Sequence, residues 1–405
     1  MNNTTKINPI PGVRLGTAVA GVKDPNNQKH HDIVVIELAK GGNAAGVFTN
    51  NAFCAAPVVL AKQHLATTTP AYLLINSGNA NAGNGDQGIK DANICCLRLA
   101  SITGCNPEQI LPFSTGVIGE PLPVVRINAA LPTAIANLDE HGWQNAASAI
   151  MTTDTVPKFA SYTFEVAGHT AVISGIAKGS GMICPNMATM LAYLATDLKV
   201  TPSVLQQILQ QAVNQSFNAI SVDGDTSTND ACMLLASGKH PSALIDDPNS
   251  STGMALTTAV NAVCTDLATA IVRDGEGATK LVHIVVDAAI NNTEARQVAY
   301  TIAHSPLVKT ALFAADPNWG RILAAIGRAG LVNLNINFVQ LYLDNLCIVH
   351  NGCRATNYTD EAGRAILQQA EFTILVNLGR GNSSAAILTC DLSYDYVRIN
   401  AEYRS

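Results

Sequence analysis

Thr189 opens the run Thr-Met-Leu at the end of Lys178-Gly-Ser-Gly-Met-Ile-Cys-Pro-Asn-Met-Ala-Thr-Met-Leu191, directly behind the small residue Ala188. A threonine hydroxyl is a weak nucleophile unless a base stands beside it. Cutting the chain in front of Thr189 would supply that base. A freed α-amine has an unperturbed pKa of roughly 7.7 to 8.0, so a usable fraction is neutral near pH 7 and can take the hydroxyl proton without a histidine. The Ala188-Thr189 bond therefore reads as a cleavage point, and Thr189 as the nucleophile that cleavage creates.

The stretch resembles the signature of the ornithine acetyltransferase family, the bifunctional glutamate N-acetyltransferases of arginine biosynthesis (the ArgJ family). The resemblance runs through Asn76-Ser-Gly-Asn-Ala-Asn-Ala82, Ser114-Thr-Gly-Val-Ile-Gly119, Met151-Thr-Thr-Asp-Thr155, Ser221-Val-Asp-Gly-Asp-Thr-Ser-Thr-Asn-Asp230, Arg273-Asp-Gly-Glu-Gly-Ala-Thr279, Asp316-Pro-Asn-Trp-Gly-Arg321 and Asn400-Ala-Glu-Tyr-Arg-Ser405, in family order. It implies a precursor that cuts itself into an α chain, residues 1–188, and a β chain, residues 189–405, which stay associated as a heterotetramer of two α and two β chains. The implied reaction is ping-pong acetyl transfer from N-acetylornithine to glutamate through an acetyl-Thr189 ester, releasing ornithine and N-acetylglutamate. Acetyl-CoA is a possible second donor, and no cofactor or metal is implied.

Residue by residue, the resemblance places the oxyanion hole on Thr115 and Gly116. Substrate contacts fall to Thr152 (taken ahead of the adjacent Thr153), Lys178, Thr189, Glu276, Asn400 and Ser405. Chemistry agrees with these types. The substrates carry an α-carboxylate and ornithine adds an ammonium, so a pocket needs a cation, hydroxyls and a carboxylate. Without the resemblance, Ser114-Thr-Gly116 is an ordinary turn, Lys178 a solvated hairpin end and Glu276 a surface turn. A chain end such as Asn400 to Ser405 ordinarily frays. Ser405 stands where the family commonly has threonine. Cys184 reads as a packed thiol, not a second nucleophile.

Composition bounds the frame that must hold these residues. A chain of 405 residues exceeds what one core usually serves. Only 13% charged against 48% hydrophobic residues points to surface covered by partner subunits or by intimate interdomain contact, and an oligomer is expected. No apolar run approaches the roughly 20 residues of a membrane span, and Met1-Asn-Asn-Thr-Thr-Lys6 lacks the apolar core of a signal peptide, so a cytoplasmic protein is expected. Ten cysteines without a C-x-x-C pair suggest reduced thiols. A net charge of −6 without a basic run argues against nucleic acid.

Periodicity predicts strands at 31–39, 45–53 and 71–76, helices at 87–102, 127–138 and 143–151, and a hairpin over 158–177 turning at Ala167-Gly-His169. Beyond the cleavage motif it predicts a strand at 190–195, a helix capped by Thr201 ahead of Pro202, and a helix at 253–272. A strand at 280–288, helices at 294–304 and 306–314, a β-rich region at 332–350, a helix at 360–369 and strands at 371–378 and 385–397 complete the chain. This mixture lacks the strict alternation of a doubly wound sheet. The expected class is α+β: layered helices and mixed β-sheets of the DmpA/ArgJ-like type.

Gly83-Asn-Gly-Asp-Gln-Gly88 matches G-x-G-x-x-G formally but reads better as a polar loop. The nine histidines show no paired metal spacing, and Asp223, Asp225 and Asp230 lack the order of a calcium loop, leaving turn-stabilising hydrogen bonds. Two other functions stay open at this point. One is a self-cleaving amidohydrolase or aminopeptidase using the same threonine, and the other a non-catalytic amino-acid-binding homologue.

Overall fold

A computed structural model describes residues 2–3, 6–27, 29–184 and 190–402. It divides into two compact units, Met1–Gly179 with Asn186–Asn218 and Thr226–Ile271, and Ser180–Pro185 with Ala219–Asp225 and Val272–Ser405. The first unit thus draws residues from both sides of the expected cut.

Two sheets face each other in the first unit. One has four strands in the order β2 (Val13–Ala18), β3 (Ile33–Leu38), β5 (Tyr72–Asn79) and β6 (Ile110–Val117). The other has six, in the order β1 (Asn2–Asn3), β7 (Lys158–Val166), β8 (His169–Lys178), β9 (Leu191–Thr196), β11 (Ala231–Ala236) and β4 (Asn43–Phe48). Side chains alternate across a strand, so Val34, Ile36, Leu73 and Ile75 enter the core between the sheets with Ile176, Tyr193 and Met233. Their neighbours Ile33, Val35 and Leu74 point the other way, onto Cys96, Leu99 and Leu131 of helices α2 (Gly85–Thr103) and α3 (Val124–Ala136). Burial on both faces is why these strands are continuous apolar runs.

The outer face of the six-stranded sheet carries α5 (Pro202–Gln215) and α6 (Ser251–Arg273). A Cβ on Gly175 of β8 would lie 2.9 Å from Val263 and 3.2 Å from Leu267, so glycine lets α6 seat against the sheet. The layers run helix, sheet, sheet, helix. α6 also corrects the membrane argument: its mean hydropathy of 1.5 and 23 residues would suffice for a span, and half of that stretch is buried. It is long and apolar because it packs on β8.

The second unit is built on one mixed sheet, in the order β10 (Ile220–Ser221), β17 (Ser383–Cys390), β12 (Leu281–Ala289), β16 (Glu371–Asn377), β13 (Gln340–Leu343), β14 (Leu346–His350) and β15 (Cys353–Arg354). Helices α7 (Asn292–Ala303), α8 (Pro306–Phe313), α9 (Trp319–Gly327) and α10 (Asp360–Leu367) bury Val298, Ile302, Leu312, Ile326 and Leu367 in one cluster with Ile284, Ile374 and Ile387 of the sheet. The chain closes on α11 (Tyr394–Ala401). This is the α+β class expected.

Several details differ from the sequence expectation. The strand predicted over 385–397 stops at Cys390, and α11 follows, with Ser393 at its N-cap and Asp395 favouring the helix start. In the β-rich region only Gln340–Leu343 and Leu346–His350 are strand; residues 336–338 form a 3-10 turn capped by Asn335. Thr201 precedes α5 as expected, but its buried hydroxyl makes no cap hydrogen bond. Gly85 begins α2, so the Gly83–Gly88 stretch is helix start rather than polar loop. Gly88 is needed there because a Cβ would meet Asn81 at 2.7 Å. Strands β2, β6 and β11 and the helices α1 (Ala56–Thr67) and α9 were not anticipated.

Candidate active site

Thr115 and Gly116 end β6, the edge strand of its sheet, and pair in parallel with β5 through Ser77↔Thr115 and Gly78↔Gly116. The register breaks at Asn79. Gly116 sits at φ +133°, and a Cβ there would lie 2.3 Å from the carbonyl carbon of Gly78. Only glycine admits this approach, which turns the backbone out of the ladder at the proposed oxyanion position.

The asparagine motif is the scaffold for that turn. Asn76 donates to the Asn79 carbonyl (2.8 Å) and accepts from Ser114 (2.6 Å), and Asn79 donates to the carbonyls of Glu120 (3.2 Å) and Pro121 (3.1 Å). Asn229 donates to Ala80 O (2.6 Å) and Ser114 O (2.9 Å). Buried side-chain amides thus satisfy carbonyls that the broken ladder leaves without strand partners.

Lys178 ends β8 with its side chain only 5% exposed, and the ammonium donates to Thr115 Oγ1 at 3.3 Å. Its strand register sets it opposite Leu191, two residues beyond Thr189 in the chain. Asp154 lies 4.0 Å from Lys178 and 2.6 Å from Lys158, and also accepts from the amides of Gly179 (2.7 Å) and Thr152 (3.1 Å). Burial would raise its carboxyl, but the ammonium groups of Lys178 and Lys158 and the Gly179 amide outweigh that and hold it below the usual range. Thr152 and Thr153 are both half-buried.

Asp230 takes the Met190 amide at 3.0 Å on one oxygen, while its second oxygen is buried without a hydrogen bond. Burial pushes this carboxyl well up, the Met190 amide, Lys178 and Ser227 offsetting only part. Thr115, Lys178, Met190, Leu191, Ser227, Asn229 and Asp230 line one small cleft.

The second unit holds the other anticipated residues. Glu276 is buried, its amide donates to Ser180 O (2.8 Å), and its carboxylate accepts from Asn400 Nδ2 at 2.7 Å. A Cβ on Gly181 would stand 2.4 Å from that carboxylate, so the glycine makes its space. α11 therefore orders Asn400, which the sequence reading left on a fraying end. Met182 adopts φ +57°, with Asp223 bonding its amide (2.5 Å) and that of Ile183 (2.9 Å). Asp223 and Asp230 thus bind backbone. Cys184 is a buried thiol pushed up to about 12 by burial and the carboxylates of Asp223 and Asp225, 3.6 Å from His304. All ten cysteines are unpaired, and among the described residues no cluster of three or more His, Cys, Asp or Glu could hold a metal. Ala188, Thr189 and Ser405 lie outside the described residues.

The ArgJ family model matches residues 14–405. The chain belongs to the ArgJ family. It is 56% identical over 397 residues to the arginine biosynthesis bifunctional protein ArgJ of Methylococcus capsulatus, covering 98% of this chain and 96% of that one. To the ArgJ protein of Pseudomonas syringae pv. tomato it is 53% identical over 399 residues, 98% of each. The crystal structure of the Bacillus halodurans ArgJ protein matches at 40% identity and a TM-score of 0.50, over 52% of this chain and 98% of that one.

Asp154, Lys158, Asn229 and Asp230 were not singled out as site residues. A hairpin turning at Ala167-Gly168 pairs Lys158 with Ala177, which sets Lys158 on the strand next to the one that ends in Lys178, but strand alternation alone puts the two lysines on opposite faces, and only the fold shows Asp154 reaching both.

Proposed function

We propose that this ArgJ-family chain transfers acetyl from N2-acetyl-L-ornithine to L-glutamate after cutting itself between Ala188 and Thr189. The observation that carries the reading is the buried Thr115 beside the tight Gly116 turn, with a lysine donating to the threonine oxygen. Because Lys178 donates to Thr115 Oγ1, the hydroxyl proton of Thr115 is directed elsewhere, toward an acyl oxyanion.

In the precursor, Thr189 Oγ attacks the Ala188 carbonyl; the C–N bond breaks, an ester forms, and water hydrolyses it to leave an α-amine on Thr189. In turnover, that amine takes the Thr189 hydroxyl proton as the oxygen attacks the acetyl carbonyl. Thr115 hydroxyl and Gly116 N–H carry the oxyanion, and losing one such donor costs about 3 to 4 kcal/mol. Collapse expels ornithine, which leaves with the proton. The glutamate amine then attacks the ester, giving N-acetylglutamate and the original hydroxyl. Lys178 and Thr152 receive the α-carboxylate, Glu276 with Asn400 the ammonium, and Ser405 closes the set.

The six-stranded sheet interleaves β7 and β8 with β9 and β11, so cut products would share a core and stay together as α and β chains, in a heterotetramer. The match of 98% of the Bacillus halodurans chain to 52% of this one suits a protein cut near its middle. Acetyl-CoA is proposed as a second donor to glutamate, and the cytoplasm as the compartment.

The test incubates purified protein with glutamate and either acetylornithine or acetyl-CoA, and weighs its chains by mass spectrometry. Two chains and ornithine-releasing transfer are expected, while Thr189→Ala stays full length and inactive. Release of acetate to water at the same rate with and without glutamate would instead identify a hydrolase, and a processed, active Thr189→Ala protein would refute the mechanism.

A further inference from the structure

We infer that Asp154 is a positioning residue for the substrate's α-carboxylate, with Lys158 as its fixed counter-charge; this rests on the acetyl-transfer reading of the same site. Asp154 is wholly buried, and one carboxylate ties together three pieces of chain. One is the loop of Thr152, whose amide it accepts; the second is the start of β7, through Lys158; the third is the end of β8, through the Gly179 amide and Lys178. The two lysines come from neighbouring strands, since Lys158 pairs with Ala177. Without a carboxylate between them, two ammonium groups would be buried side by side, a costly arrangement.

The distances divide the labour. Lys158 at 2.6 Å is hydrogen-bonded to Asp154, so its charge is committed there. Lys178 at 4.0 Å is attracted without a hydrogen bond to Asp154, so Asp154 fixes where the ammonium sits while that ammonium donates to Thr115 Oγ1. Thr152 and Lys178, on separate elements, are thereby held by the same group. Asp154 touches no reacting atom; it sets the spacing of two residues that do.

The discriminating experiment uses the mature enzyme and compares inhibition by ornithine with inhibition by ornithinamide, which lacks the carboxylate charge. Asp154→Asn should raise KM for acetylornithine about tenfold or more, lower kcat as the Lys178 donation to Thr115 loosens, and collapse the preference for ornithine over ornithinamide toward unity. A fall in kcat with that preference intact would overturn the inference, as would an unchanged KM. If Asp154→Asn does not fold because the buried lysines lose this counter-charge, Asp154→Asn with Lys158→Met removes the surplus charge. The double variant must show the same carboxylate-specific loss, and wild-type discrimination in it would sink the assignment. Failure of wild-type protein to move acetyl from acetylornithine to glutamate would count against the transfer reading alone, because calorimetric binding of ornithine and ornithinamide to wild type and Asp154→Asn still judges Asp154.

Discussion

Gly116→Ala tests whether the backbone turn at the end of β6 is what makes the oxyanion site. The new methyl would stand 2.3 Å from the Gly78 carbonyl carbon, 2.5 Å from Asn79 N and 2.6 Å from Gly78 O. Carbon atoms in contact sit roughly 3.5 to 4.0 Å apart, so β5 and β6 must separate locally by about 1 Å. The residue also sits at φ +133°, where a side chain costs about 1 to 3 kcal/mol. Overpacking adds about 1 to 3 kcal/mol more. A donor displaced by that ångström forfeits its transition-state bond, so kcat should fall about 10²- to 10³-fold. Gly119→Ala is the control, since Gly119 has φ +84° and no atom within 4 Å of a built Cβ, leaving backbone strain alone. Stability is read in the Thr189→Ala background, which keeps one chain, and turnover in the cleavable protein. Gly116→Ala should melt well below Gly119→Ala and lose activity that Gly119→Ala keeps. Equal melting and equal turnover in the two variants would refute the claim that the strand approach builds the site.

Gly181→Ala should push the Glu276 carboxylate from its place, because the built Cβ lies 2.4 Å from it. KM for acetylornithine should then rise about tenfold while an exposed-surface glycine variant leaves it unchanged; an unaltered KM would remove Glu276 from ammonium binding. Asp230→Asn probes the raised carboxyl beneath Met190. A group whose pKa is raised on folding contributes stability below its unfolded pKa of about 3.9 and loses it as pH rises through the folded value. Asparagine keeps an acceptor for the Met190 amide without a charge to bury. In the Thr189→Ala background, Asp230→Asn should therefore melt no lower than its parent at pH 7.5, the gap closing toward pH 4. A variant that melts lower at pH 7.5 by the same margin as at pH 4 contradicts the buried, raised carboxyl.

The elements legible in the sequence were those whose pattern is local. The hairpin β7–β8 is announced by alternation and by Ala167-Gly168, and α5 by Pro202 and a clean apolar stripe. Those missed were decided by their surroundings. Pro112 argues against a strand, yet it sits in β6, an edge strand that needs fewer backbone donors. β11, Ala-Cys-Met-Leu-Leu-Ala, is built of helix-favouring residues and becomes a strand because it lies between β9 and β4, buried at every position. α1 buries Ala56, Val58, Leu60, Ala61 and His64, too wide a face for a helical stripe to show.

The site divides the same way. Thr115, Gly116, Lys178, Glu276 and Asn400 could be proposed from motifs only through the family resemblance, since by themselves they read as turns, a hairpin end and a chain end. Asp154 and Asp230 could not be ranked above the chain's other acids, because what distinguishes them is desolvation, which only the folded chain produces. The glycines carry the intermediate case. The Ser-Thr-Gly motif marks Gly116, but nothing in the sequence separates Gly181 from Gly119 or Gly168; Gly116 and Gly181 have a strand backbone and a carboxylate within 2.6 Å of the missing Cβ, while Gly119 and Gly168 face open space. A motif glycine therefore marks a site only where the vacant volume is already filled by the groups that act, and at 116 and 181 it is filled by the turn proposed to hold the oxyanion and by the carboxylate proposed to bind the ammonium.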